Sequence, residues 1–287
     1  GPVLVISGDH TVEVQKKCFE LGISDFIAKP FINAVIKQRV KNTAEFFDYK
    51  LKLEDKVAEQ TNVLRKAYRT LQIQAEHLQK KNQQIIEMLG TVVEYRSTES
   101  GEHIQRVKGY TRILAEAVME DYPEYELTKE KIDIIESVSA LHDIGKIAIP
   151  DRILLKPGRL TAEEFEYMKS HTIRGCELLD SIKEDWNDDT MKYAYEICRH
   201  HHERYDGKGY PDGLVGDEIP ICAQLVSVAD VYDALVNERC YKDAFSKEDA
   251  YRMIITGECG VFSPKLMESF RKVRPAFEKL ANKSFRK

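Results

Sequence analysis

Two adjacent histidines, His201 and His202, end a segment of helical character that begins near Asp188. The chain then runs Glu203-Arg204-Tyr205-Asp206-Gly207-Lys208-Gly209-Tyr210-Pro211, with a second Asp-Gly following at Asp212-Gly213. No helix tolerates that density of backbone breakers. A helix end fixes the imidazoles, and the glycines let backbone pass close to whatever the imidazoles hold. Such a pattern suggests a metal site with a shaped floor, whose remaining ligands must come from elsewhere in the chain.

Candidates are present. His142-Asp143 stands at the C-terminal end of a helical run from Ile132 and is followed by Ile144-Gly145-Lys146. A histidine beside an aspartate offers one nitrogen and one carboxylate to the same metal, and the second oxygen can bridge to a neighbouring ion. Lys146 can bind phosphate as a point charge. Glu99 and His103 are four apart and would share a helix face. His171 opens a helix and is followed by Gly175. Asp230 and Asp233 lie in an otherwise apolar helix, where an inward carboxylate needs a cation or hydrogen-bond partners to offset its burial.

Three regions must position these groups. In residues 1–31, Val3-Leu4-Val5-Ile6 reads as a strand, Val12 to Leu21 as a helix ended by Gly22, and Phe26-Ile27-Ala28 as a second strand. Strand, helix, strand with short loops suggests part of a parallel α/β sheet, too small to stand alone. It resembles the last third of a response-regulator receiver domain, with Ser7 at the switch position and Lys29-Pro30 as the Lys-Pro pair. The phosphate-accepting aspartate of that family is not in this sequence, and a working phospho-switch is not expected of this fragment.

Residues 32–90 are rich in good helix formers, and no proline or glycine interrupts them before Gly90. Val57, Leu64, Leu71, Leu78, Ile85 and Val92 recur every seven residues. Ala67 and Met88 occupy some partner positions, whereas Gln60, Gln74 and Lys81 fill others, which fits a weak coiled coil in a parallel homodimer. The other reading is that the stripe packs back on the catalytic domain. Residues 91–287 read as helical nearly throughout, with Thr161-Ala-Glu-Glu164 as a capping box. Of 287 residues 43% are hydrophobic, enough for a packed core, and the net charge of -5 leaves no footprint for a nucleic-acid polymer. No apolar run approaches a transmembrane length and no signal peptide opens the chain, so a cytoplasmic protein without a membrane is expected. The six cysteines (Cys18, Cys176, Cys198, Cys222, Cys240 and Cys259) form no Cys-x-x-Cys pair and read as reduced thiols.

Taken with the eleven-residue run, His142-Asp143-x-Gly145-Lys146, His171, Asp230 and Arg239-x-x-Lys242 make residues 91–287 resemble an HD-GYP domain, a subset of the HD metal-dependent phosphohydrolases. The resemblance implies a mainly α fold: an all-helical phosphohydrolase domain behind a coiled-coil helix and a receiver remnant. It implies His103, His142, Asp143 and Asp230 as ligands of one metal, and His171, His201 and His202 as ligands of a second, with Asp143 bridging. Glu99 implies room for a third. Iron or manganese is expected, although the donors also suit zinc. His200 has no family counterpart and reads as a bystander. The implied reaction is hydrolysis of cyclic di-GMP to linear pGpG, with further cleavage to GMP left open. Asp143 and Lys146 would act at the reacting phosphate, and Lys146, Tyr210, Asp233, Arg239 and Lys242 would contact or orient substrate. Hydrolysis of another cyclic dinucleotide such as cyclic GMP-AMP stays open, as does a scaffold role that docks a diguanylate cyclase. Cys240 stands where the family has proline, and Ser263 where it has aspartate; serine is expected to cap the following helix in its place.

Overall fold

A computed structural model describes residues 1–97, 102–182, 186, 188–237 and 244–283. Its chain divides into two compact units, Gly1–Leu78 and Gln79–Lys287. In the first, β1 (Leu4–Ser7) and β2 (Asp25–Ala28) pair in parallel, with Val5 opposite Phe26, and α1 (Val12–Glu20) makes the crossover. A long helix, α2 (Asn33–Arg96), runs from this unit into the next.

The heptad residues Val57, Leu64, Leu71 and Leu78 are exposed, and so are Ile85 and Val92. In the second unit the buried face of α2 is instead Ile86, Gly90, Val93 and Glu94, one position out of step with the heptad. At its last turns α2 is positioned by a 3.6-residue apolar face, while Ile85 and Val92 of the seven-residue stripe are exposed.

The second unit is a helical assembly of α3 (Glu102–Asp121), α4 (Lys129–Val138), α5 (Asp151–Leu154), α6 (Ala162–Lys169), α7 (His171–Asp180), α8 (Asp188–His200), α9 (Ile221–Val236), α10 (Lys247–Ile255) and α11 (Pro264–Ala281). Its core holds Val107, Tyr110 and Leu114 of α3, Ile132 and Ile135 of α4, Ile197 of α8, and Leu225, Val228 and Tyr232 of α9. Tyr110 stacks on Phe277 of α11 at 4.7 Å, and Tyr232 meets the same ring edge-on at 5.2 Å. Each such buried ring contributes about 1.5–3 kcal/mol, and together they lock α3 against α9, the two helices that carry His103 and Asp230.

Local signals set the helix ends. Thr161 accepts from the Glu164 backbone while the Glu164 carboxylate accepts from the Thr161 backbone, so the expected capping box is present. Ser263 departs from expectation. It occupies the N-cap position of α11 and is 1% exposed, but its side chain makes no capping hydrogen bond. No helix among the described residues is long and apolar enough to cross a membrane.

Candidate metal centre

The site is built where several helix ends converge. After α4 the chain tightens into a 3₁₀ turn, Ser139–Leu141, which delivers His142 and Asp143 into the interior. A second 3₁₀ turn, Ile144–Ala148, carries Lys146 back beside them. His171 is the first residue of α7, and His201 continues the helical ladder past α8 by donating its backbone N–H to the Ile197 carbonyl. His142 is fully buried and Asp143 is 6% exposed.

Two groups of ligand-type atoms result, each within 4.8 Å of one another: Asp143, His171, His201 and His202 in one, Glu94, His103 and His142 in the other. Asp143 lies between the groups. Its Oδ1 is 3.2 Å from His171 Nε2 and 3.8 Å from His201 Nε2, and its Oδ2 is 3.3 Å from His142 Nε2 and 2.6 Å from Lys146 Nζ. Asp230 Oδ1 stands 3.7 Å from His103 Nε2 and 3.9 Å from His142 Nε2.

The tautomers follow from what the outer nitrogens touch. His142 Nδ1 donates to the Ser139 carbonyl at 2.8 Å, His171 Nδ1 to Met168 at 2.7 Å, and His201 Nδ1 to Ile197 at 3.0 Å. A carbonyl only accepts, so each Nδ1 carries the proton and each neutral Nε2 turns a lone pair inward. His142 Nε2, His171 Nε2, His201 Nε2 and Asp143 Oδ1 are buried without a hydrogen-bond partner among the described residues. Acceptors facing acceptors in a dry interior are costly. A divalent cation coordinated by those atoms removes the cost, and nitrogen and carboxylate donors fit such an ion.

The electrostatics divide the same way. Burial alone would lower His142, but Asp143, Asp230 and Glu94 push it up to about 10. On the other side, burial and then neighbouring imidazoles hold His201 and His202 well below the ordinary histidine range. Burial would raise Asp143, yet Lys146 and His142 hold it well below the usual carboxylate range. The Asp143 carboxylate and the His201 and His202 imidazoles are thus held in the protonation states that bind metal, whereas at His142 a cation would have to take the place of the proton that the neighbouring carboxylates favour.

Asp233 does a different task from the one expected of it. It is 2% exposed, accepts from His103 Nδ1 at 2.7 Å and takes two hydrogen bonds from Arg106, at 2.6 Å from Nε and 3.1 Å from the terminal nitrogen. Both oxygens are committed to His103 and Arg106, so it holds the His103 ring in place. Glu94 was not legible as a candidate; its signal was burial beside Val93, not spacing from a histidine. Glu99, Arg239 and Lys242 lie outside the described residues, as does Cys240.

Two further residues brace the centre. Glu203, inside the eleven-residue run, is 2% exposed and accepts backbone N–H groups from Asp212, Gly213 and Leu214. It pins the loop whose Tyr210 leans on the His202 ring at 4.7 Å. A side chain at Gly209 would put Cβ 2.3 Å from the Glu203 Cα, so the loop closes over the helix end only with glycine there. His200, Glu203 and Asp212 also cluster. Glu203 accepts from the loop backbone and Asp212 takes two hydrogen bonds from Arg199, with His200 Nδ1 3.5 Å from Asp212 Oδ2.

Arg96, at the end of α2, reaches the Lys146 turn. Its guanidinium donates to the carbonyls of Lys146 at 3.1 Å, Ile147 at 2.6 Å and Ile149 at 2.8 Å, and to Asp151 at 2.7 Å. Arg96→Ala is expected to cost about 1–3 kcal/mol of stability, since three carbonyls, two of them half-buried, lose a charged donor. A shift of the urea midpoint checks this; an unchanged midpoint would show that water replaces the clamp.

Comparisons with known proteins agree with the geometry. The HD domain profile matches residues 67–260. The chain is 36% identical over 276 residues to a probable cyclic di-GMP phosphodiesterase of Vibrio cholerae, covering 94% of this chain and 60% of that protein. It is 32% identical over 279 residues to the cyclic di-GMP phosphodiesterase response regulator RpfG of Xanthomonas campestris, covering 97% of this chain and 69% of the relative. A solved structure of a cyclic GMP-AMP specific phosphodiesterase of Vibrio cholerae shares the fold, with a TM-score of 0.50 and 15% identity over 70% of this chain and 51% of that one.

Proposed function

This chain belongs to the HD domain family, and on that premise we propose that it is a metal-dependent phosphodiesterase hydrolysing cyclic di-GMP to linear pGpG in a signalling protein. The observation that carries the reading is Asp143, buried between His142 on one side and His171 and His201 on the other, whose inward nitrogens have no hydrogen-bond partner among the described residues. His103, His142, Asp143 and Asp230 would hold one ion, with Glu94 beside them. His171, His201, His202 and the second oxygen of Asp143 would hold another. Iron or manganese suits this mixed nitrogen and carboxylate set.

Ions bound there would supply Lewis acidity at the phosphate and lower the pKa of water toward neutrality. The protein's own groups do the rest. Asp143 serves both halves, so it sets the distance between them. Asp233, itself held by Arg106, keeps the His103 ring from turning. Lys146 offsets charge that builds on the phosphate oxygens. Water attacks one phosphodiester, the P–O3′ bond breaks, and the linear product leaves with a 5′-phosphate. The exposed heptad stripe supports a parallel homodimer through α2, and the likeness to a response regulator supports an input at the N-terminal side.

Turnover of cyclic di-GMP by iron- or manganese-loaded protein tests this, with pGpG followed by chromatography and 3′,3′-cyclic GMP-AMP as competitor. Linear pGpG is expected. Selective cleavage of cyclic GMP-AMP would replace the substrate, and no cleavage of either would overturn the activity.

A further inference from the structure

Helix α6 has no buried residue, yet it runs beside the metal centre. Its two aromatic side chains diverge. Tyr167 lies under Arg174 at 5.2 Å and its phenol accepts from Arg174 at 3.1 Å. Phe165 turns the other way, toward Tyr210, with ring centroids 6.4 Å apart and an interplanar angle of 80°. Phe165 remains 46% exposed. Lys169, four residues later and so on the same helix face, places its ammonium 5.2 Å from the Phe165 ring and 5.5 Å from the Tyr210 ring. Tyr210 leans on His202, so a continuous edge runs from a candidate ligand through two aromatic rings to a cation. The same junction carries His171, whose Nδ1 donates to the Met168 carbonyl.

We infer that Phe165 and Lys169 form the base-binding wall of the site, Phe165 stacking a purine and Lys169 donating to its edge. The inference rests on the proposed cyclic-dinucleotide activity and adds to it residues that touch the base instead of the phosphate. A ring placed for core packing would be covered, and this one is nearly half open. Its edge-on partner Tyr210 holds it beside the centre, so a nucleoside attached to a phosphate held there can reach it. Stacking on an aromatic face tolerates any base. A lysine ammonium matches the O6 and N7 acceptors of guanine better than the mixed edge of adenine. Lys169 is also paired with Glu166 at 2.7 Å, but Glu166 is mostly exposed, and an ion pair open to water is easily exchanged for a base acceptor.

Steady-state kinetics of the metal-loaded full chain with cyclic di-GMP test the wall. Phe165→Ala is expected to raise KM roughly ten- to a hundredfold, the range for losing one stacked base, with kcat nearly unchanged. Phe165→Trp should restore KM and Phe165→Leu should not, since an aliphatic side chain packs without stacking. Lys169→Met should raise KM for cyclic di-GMP, and Lys169→Arg should keep it low. Metal content and the affinity for inorganic phosphate should match wild type in all five. If wild-type protein cleaves cyclic di-GMP and Phe165→Ala leaves KM unchanged, the wall is wrong while the activity stands. If Phe165→Ala loses metal or phosphate affinity in step with substrate, the ring is structural and the inference fails. If wild-type protein neither binds nor cleaves a cyclic dinucleotide, the proposed function fails and the wall with it.

Discussion

Asp143→Ala is expected to lower kcat/KM on the order of 10³-fold or more and to reduce the bound metal together with it. The reasoning is geometric. Asp143 is the one carboxylate among the described residues whose two oxygens face different imidazole groups, His171 and His201 on one side and His142 on the other. Removing it takes a negative charge from both halves at once and leaves several buried lone pairs opposite one another. Withdrawing several kcal/mol of charge stabilisation from the reacting phosphate corresponds to about that factor in rate. Asp143→Asn separates charge from shape, since the amide fills the same space without the charge and should be nearly as inactive. Elemental analysis beside kinetics checks both variants. Wild-type turnover with wild-type metal content in Asp143→Ala would remove Asp143 from the centre.

Gly145→Ala is expected to be the most damaging small substitution outside the ligands. An added Cβ would lie 1.8 Å from the His171 carbonyl oxygen and 2.5 Å from the Gly175 backbone nitrogen, and both are main chain that cannot swing aside. The 3₁₀ turn carrying Lys146 would have to move away from α7. Overpacking of this kind costs about 3 kcal/mol or more, which for a domain of this size lowers the melting temperature on the order of 10 °C. The separation from Asp143 to His171 would open with it, so metal affinity should fall too. Thermal melting with and without added manganese reads both effects. A melting temperature within a degree of wild type would show that the turn is looser than its close approach to α7 implies.

Much of this centre could be read from residue types alone. His142, Asp143, His171, His201 and His202 stand at breaks in helical pattern, and helix ends are where the structure brings them together. Asp230 and Asp233 stood out as carboxylates in an apolar helix, and both are indeed turned inward. What periodicity could not say was which of the two meets the centre. That depends on the crossing of α9 with α3, where Arg106 and His103 claim Asp233 and leave Asp230 facing the inner nitrogens. Glu94 was hidden for a related reason. The seven-residue stripe on α2 is strong, but the last turns of the helix are positioned by packing against the rest of the domain, one position out of step with it. Glu203 looked like one polar residue in a loop; only burial shows that its carboxylate holds the loop shut. Ser263 had the right chemistry for a cap and sits at the N-cap of α11, but its side chain makes no capping hydrogen bond.

The central claim is that the inward-facing imidazoles and Asp143 exist to hold metal. Metal analysis of anaerobically purified chain, by mass spectrometry against protein concentration, tests it most directly. Two or more equivalents of iron or manganese per chain are expected, falling to one or fewer in His171→Ala while the protein stays folded by circular dichroism. A folded wild-type protein that holds no metal after purification, and takes up none when iron or manganese is supplied, would contradict the claim.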